Sequence, residues 1–151
     1  MLLLAPGLPV STIADVPPRP APRRVVVPGR RAPEETLATF MRQHDFAQPY
    51  NIAEILDAAK RASIPPSMIV CIEFYESSGG KHYDAETNNP LGWKNGVAAF
   101  PSVPAAIHHV SDQLGSGRWY AGKTLKEKLH VYNPRPVYAE KVLGCMRQFP
   151  E

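Results

Sequence analysis

The sequence predicts a mainly α domain with one short β-hairpin, preceded by a disordered Pro/Arg-rich tail. Three observations carry that prediction. Apolar residues recur at helical spacing in successive segments from residue 33 onward. Capping signals stand ahead of several of those segments. A hairpin signal occurs in one stretch alone, residues 91–100.

The tail comes first. Of the 17 prolines in 151 residues, Pro6, Pro9, Pro17, Pro18, Pro20, Pro22, Pro28 and Pro33 precede residue 35. Such a run favours extended polyproline conformations over a packed core, so residues 1–32 read as a tether. A PxxP ligand for a partner domain is the other reading. Arg19, Arg23, Arg24, Arg30 and Arg31 against Asp15 give the tail a net charge of +4, which leaves about −1 of the total +3 for residues 33–151. The basicity therefore belongs to the tail. A phosphate-binding domain would carry its basic patch on the folded part, so no nucleic-acid partner is expected.

The domain, residues 33–151, opens with Pro33 at a first helical position followed by Glu34 and Glu35, and Leu37, Phe40 and Met41 form the apolar stripe. Asn51-x-x-Glu54 has the form of a capping box for a helix containing Ile52, Ile55, Leu56 and Ala59. Pro65-Pro66 ends that helix near Ser63 and starts the next. A polar loop follows Gly79, and then Leu91–Lys94, Asn95-Gly96 and Val97–Phe100 read as a hairpin with a type I′ turn. Ser102 caps a helix using Val103, Ala106, Ile107, Val110 and Leu114. Thr124-x-x-Glu127 is a second capping box, and Tyr138, Val142, Cys145 and Met146 stripe a terminal helix. The sum is five or six helices.

Hydrophobic residues make up 44% of the chain, enough for an ordinary core. No segment approaches the roughly 18 apolar residues of a membrane span, and Met1–Ala5 lacks the basic start of a signal peptide. Cys71 and Cys145 are expected as buried free thiols, with a disulfide between two helices as the alternative that export would permit. His108 and His109 face different sides of their helix, so no metal site is expected. Gly115-Ser116-Gly117 is a helix stop, not a phosphate loop, and no cofactor is expected. No oligomer signal is visible, so a monomer is expected.

The chemistry centres on Ile69-Val70-Cys71-Ile72-Glu73-Phe74-Tyr75-Glu76-Ser77-Ser78-Gly79-Gly80. This apolar helix carries Glu76 into its last turn, on one face with Ile69 and Ile72, and stops at glycines. A helix C-terminus and apolar neighbours both disfavour a charged carboxylate, which is how glycosidases keep a general acid protonated. Glu73, one turn earlier, is the rival.

Glu76-Ser77-Ser78-Gly79-Gly80 followed by Asn88-Asn89-Pro90-Leu91-Gly92-Trp93-Lys94 resembles the signature of bacterial glucosaminidases with a lysozyme-like fold. The resemblance continues through Phe100, Ser102, Tyr120 and Tyr132 to Tyr138–Val142 and covers roughly residues 50–148. Tyr132-Asn133 is also similar to the Tyr-Asn element of lytic transglycosylases. The resemblance implies a lysozyme-like fold, cleavage of β-1,4 bonds in peptidoglycan glycan strands, and a cell-envelope or secreted location. Glu76 would be the general acid and Tyr132 a second catalytic residue, orienting a water or an N-acetyl group. Asn88, Asn89, Gly92, Trp93, Lys94 and Tyr138 would bind substrate. From the residues alone, Asn88-Asn89-Pro90 is equally a turn, Trp93 equally core, and Tyr138 equally a packing residue.

Two departures qualify the match. The family's tight Ser-Gly-Trp-Gly is Ser77-Ser78-Gly79-Gly80 here, and Gly92–Phe100 holds none of the acids expected on a longer β-lobe. Asp84 and Glu86 are the only nearby carboxylates, and both precede Asn88. The expectation is thus a single-acid glycosidase, by attack of the substrate's own acetamido group or by the transglycosylase route to anhydro sugars. The alternatives are a non-catalytic glycan-binding module on the same fold and an unrelated helical interaction domain.

Overall fold

The computed structural model describes residues 33–47 and 52–149. The tail and its predicted extended conformation lie outside the described residues, as does Asn51, the expected cap of the second helix. Among the described residues there are six α-helices: α1 (Pro33–Gln43), α2 (Ile52–Ala62), α3 (Pro66–Ser77), α4 (Val103–Ser116), α5 (Leu125–Tyr132) and α6 (Tyr138–Met146). The domain is mainly α, as its periodicity predicts.

Helix α3 is the centre. Every residue from Ser67 to Glu73 is buried, and α1, α2 and α6 pack around it. A helix apolar on all sides has to be wrapped in this way. Pro65 and Pro66 set its start, with Pro66 at the first helical position, where a missing N–H costs nothing. At the other end Ser78, Gly79 and Gly80 have φ of +56°, +72° and +77°, and the Ser78 N–H donates to the Glu73 carbonyl. Three successive left-handed residues turn the chain sharply away from Glu76. A Cβ on Gly79 would lie 2.6 Å from the Phe46 ring, so this turn is also packed against the end of α1.

Cys71 on α3 and Cys145 on α6 form a disulfide, with Cα atoms 5.9 Å apart. The expectation of free thiols is therefore corrected. Both residues do lie on buried faces, but the two faces meet, and a 74-residue separation gives no hint of that. Elsewhere α2 and α4 approach so closely that a Cβ on Gly115 would sit 2.3 Å from the Ala62 carbonyl oxygen. Ser102 caps α4 by accepting from Ala105 N–H, and Thr124 and Glu127 form the complete capping box of α5. The buried Lys128 ammonium donates to the carbonyls of Leu114 and Gly115 at the end of α4, where the helix dipole is negative. Burial lowers its pKa.

The predicted hairpin is not observed, since no strand occurs among the described residues. Lys94, Asn95 and Gly96 all have positive φ, and the Gly96 N–H donates to the carbonyls of both Gly92 and Trp93. The stretch therefore makes a left-handed coil after Trp93 in place of a two-residue turn between strands. Side chains do the work that a β-ladder would have done. The Asn89 amide donates to Trp93 O at 2.9 Å and Ala98 O at 3.0 Å, and its oxygen accepts from Trp93 N–H at 3.0 Å. Asn88 donates to Phe100 O at 2.9 Å, and Phe100 N–H donates to Thr87 O at 2.8 Å. An isolated two-stranded hairpin is marginal in water; this loop is held by two asparagines instead.

Candidate active site

Glu76, in the last turn of α3, is half-buried and faces the asparagine-held loop. Gly92 of that loop is the contact. A Cβ there would lie 2.5 Å from Glu76 Oε2, and Gly92 has φ of +66°. Both the close approach and the backbone conformation require glycine.

Two cavities open on Glu76. The first, of about 380 Å³, is lined by Glu76, Gly92, Trp93, Lys94, Asn95, Gln113, Trp119, Tyr120, Val131, Tyr132 and Asn133. The second, of about 350 Å³, is bounded by Glu76, Ser77, His82, Tyr83, Asp84, Asn89, Pro90, Gly92, Asn95, Gly96 and Val97. Glu76, Gly92 and Asn95 border both. The two halves differ in chemistry. The first is an aromatic wall, in which Trp93 meets Tyr120 and Tyr132 with ring centroids 6.1 and 5.7 Å apart. The second carries an imidazole and a carboxylate.

Two tyrosines attend Glu76. The Tyr132 hydroxyl donates to the Leu91 carbonyl, so its proton is committed to the loop. Its pKa is raised well above the ordinary phenol range by burial, then by the charges of Glu76 and Tyr120. Burial likewise does most to raise the pKa of Tyr138, and the neighbouring Glu76 carboxylate adds to it. The Tyr138 hydroxyl is a neighbour of Glu76 but makes no hydrogen bond among the described residues. Both phenols stay protonated at any ordinary pH, so Glu76 has neutral hydroxyls as neighbours and no second charge.

Of the residues expected on a substrate, Gly92, Trp93, Lys94 and Tyr132 border the first cavity with Glu76. Trp93 is half-buried, so it is both packed and available as a wall. Three others are turned toward the fold. Asn88 and Asn89 bind main-chain atoms of their own loop, and Asn89 is only 2% exposed, with all of its amide hydrogens in use. Tyr138 is buried and borders neither cavity, so it cannot touch a ligand there. Glu73, the rival acid, is 0% exposed and borders neither cavity, and a substrate cannot reach it.

Sequence reasoning missed Trp119, Gln113 and His82 and set Asp84 aside. Asp84 shares the second cavity with Glu76, although it precedes the loop where a second carboxylate was sought. Its Oδ1 accepts from Glu86 N–H at 2.9 Å, which fixes the carboxylate's orientation. Periodicity gives no signal for Trp119, because it lies in the turn between α4 and α5. Among the described residues no three His, Cys, Asp or Glu side chains gather as a metal site, and no helix is long and apolar enough to cross a membrane. Comparisons with protein-family models, with curated proteins and with solved structures find no match.

Proposed function

We propose that this chain is a glycosidase of lysozyme-like fold that cuts β-1,4 bonds in the glycan strands of peptidoglycan, with Glu76 as general acid. One observation carries the reading: Glu76 stands on the border shared by two cavities. A glycan threaded through both would lay one glycosidic oxygen against that carboxyl group. Glu76 gives its proton to this oxygen, the bond from C1 to oxygen breaks, and positive charge develops on the sugar ring. The leaving alcohol is a poor one, so proton donation is the step that an enzyme must supply. Tyr138 lies buried beside Glu76 as a neutral phenol, while Gly92 keeps the loop in contact with it.

Asp84 supports hydrolysis by water. Asp84 borders the same cavity as Glu76, and a second carboxylate there is the group available to activate a water. Water then adds to C1 and loses its proton to Asp84. If Asp84 takes no part, the substrate's own groups close on C1 and anhydro or oxazoline-derived products result. The Cys71–Cys145 disulfide favours an oxidising compartment and so supports an exported, cell-envelope protein.

The test is digestion of purified sacculi, with products read by mass spectrometry. Wild type should release muropeptides, and Glu76→Gln should lower release by at least about 100-fold, in line with a lost general acid. Equal release by both proteins would overturn the assignment. Binding to sacculi without any turnover would make the chain a glycan-binding module. Reducing ends that give way to anhydro ends in Asp84→Asn would identify Asp84 as the water-activating group.

A further inference from the structure

We infer that Trp119 is the stacking platform of a sugar subsite in the aromatic half of the cleft, so that this half adds to the grip on a longer strand. The inference rests on the glycosidase reading and extends it to how the strand is held. Trp119 is 64% exposed, an unusual state for the largest apolar side chain in a domain whose other aromatic cleft residues are buried or half-buried. It borders the first cavity together with Glu76. Its neighbour is anchored: Tyr120 is 5% exposed, and the N–H groups of Tyr120 and Ala121 both donate to the Gly117 carbonyl, at 2.8 and 2.9 Å. The turn that presents the indole is therefore fixed to the end of α4.

The indole has two unlike faces. The Arg118 guanidinium lies over the ring, 4.9 Å from its centroid, and Arg118 does not border the cavity. The cation covers one face of the ring and helps to hold it, which leaves the other face for a ligand. An open indole face beside the amides of Gln113 and Asn133 suits a pyranose. The axial C–H groups of the sugar lie on the ring, while its hydroxyl and N-acetyl groups reach the amides. The second cavity has nothing comparable, since its lining includes His82, Asp84 and Tyr83 but no tryptophan. The strand should therefore be gripped more firmly on the aromatic side of Glu76 than on the other.

The experiment measures binding of N-acetylglucosamine oligomers, a dimer and a hexamer, to the Glu76→Gln protein by titration calorimetry. The same titration is run with Trp119→Ala and Trp119→Phe added. The hexamer should bind more tightly than the dimer. Trp119→Ala should reduce that advantage by about tenfold, the equivalent of one aromatic stacking contact, while Trp119→Phe should keep most of it. Hexamer should also shield the tryptophan emission that disappears in Trp119→Phe from acrylamide quenching. Thermal melts of the variants should match the parent, because the indole is outside the core. An undiminished hexamer advantage in Trp119→Ala, with wild type active on sacculi, would overturn the subsite and leave the glycosidase reading intact. Absence of hexamer binding in every protein, with wild type inert on sacculi, would overturn both.

Discussion

Asn89 shows how a residue that looks like a ligand-binding group can belong to the scaffold. Its side chain holds three main-chain groups of the loop that faces Glu76, and neither of its amide hydrogens is left for a sugar. Replacing it by alanine leaves Trp93 N–H and the Ala98 carbonyl without partners in a part-buried place, a loss of about 2–4 kcal/mol at ~1–3 kcal/mol for each unsatisfied group, relieved in part by water. Asn89→Asp should rescue little, because a carboxylate would face the two carbonyls that now accept from the amide. Thermal melts without any glycan present check this. A melting temperature unchanged in both variants would return Asn89 to the substrate. Gly92 is the complementary case, expected as a contact residue and found pressed against the Glu76 carboxylate. Neither role can be read from the Asn-Asn-Pro-Leu-Gly run, since the same letters make a turn, a binding loop or a support.

At the scale of elements, α3 and α6 act as one unit. The first carries Glu76, the second carries Tyr138, and the Cys71–Cys145 bond ties them. Closing a loop of 74 residues should contribute about 4 kcal/mol in the chain-entropy account. Reduction with a strong phosphine reductant, or Cys71→Ser with Cys145→Ser, should lower the denaturant midpoint accordingly, read by circular dichroism in guanidinium. An unchanged midpoint would mean that packing of α3 on α6 already suffices. The helices themselves were legible: Pro66 at a first turn, Ser102 and Thr124 as caps, and apolar stripes at helical spacing all mark real boundaries. The stretch 91–100 was not, because its order comes from side-chain hydrogen bonds of Asn88 and Asn89, which no alternation of apolar and polar residues encodes. The cysteine pairing and the exposure of Trp119 depend on which helix faces meet, and a single sequence does not carry that.

For the whole molecule, the cleft imposes a pH limit. Tyr120, Tyr132 and Tyr138 all have raised pKa values, in each case with burial as the largest cause. In the unfolded chain they ionise near pH 10, while in the fold they do not. Unfolding is then favoured as pH rises past about 10, by up to about 1.4 kcal/mol per pH unit for each such tyrosine. Lys128, whose pKa burial lowers, acts in the opposite sense below the ordinary lysine value of about 10.4. Melting temperatures between pH 8 and 11 should fall beyond pH 10, and Tyr132→Phe combined with Tyr138→Phe should flatten that fall. A slope unaffected by the double substitution would show that the alkaline limit lies elsewhere.

The central claim is that one glycan occupies both cavities with its cleaved bond at Glu76. The most direct measurement is a crystal structure of Glu76→Gln soaked with a peptidoglycan oligosaccharide long enough to span them. The account predicts sugars on both sides of residue 76, one stacked on Trp119, and a glycosidic oxygen within hydrogen-bonding distance of the substituted side chain. An oligosaccharide bound away from residue 76, or a cleft that stays empty at saturating ligand, would contradict it.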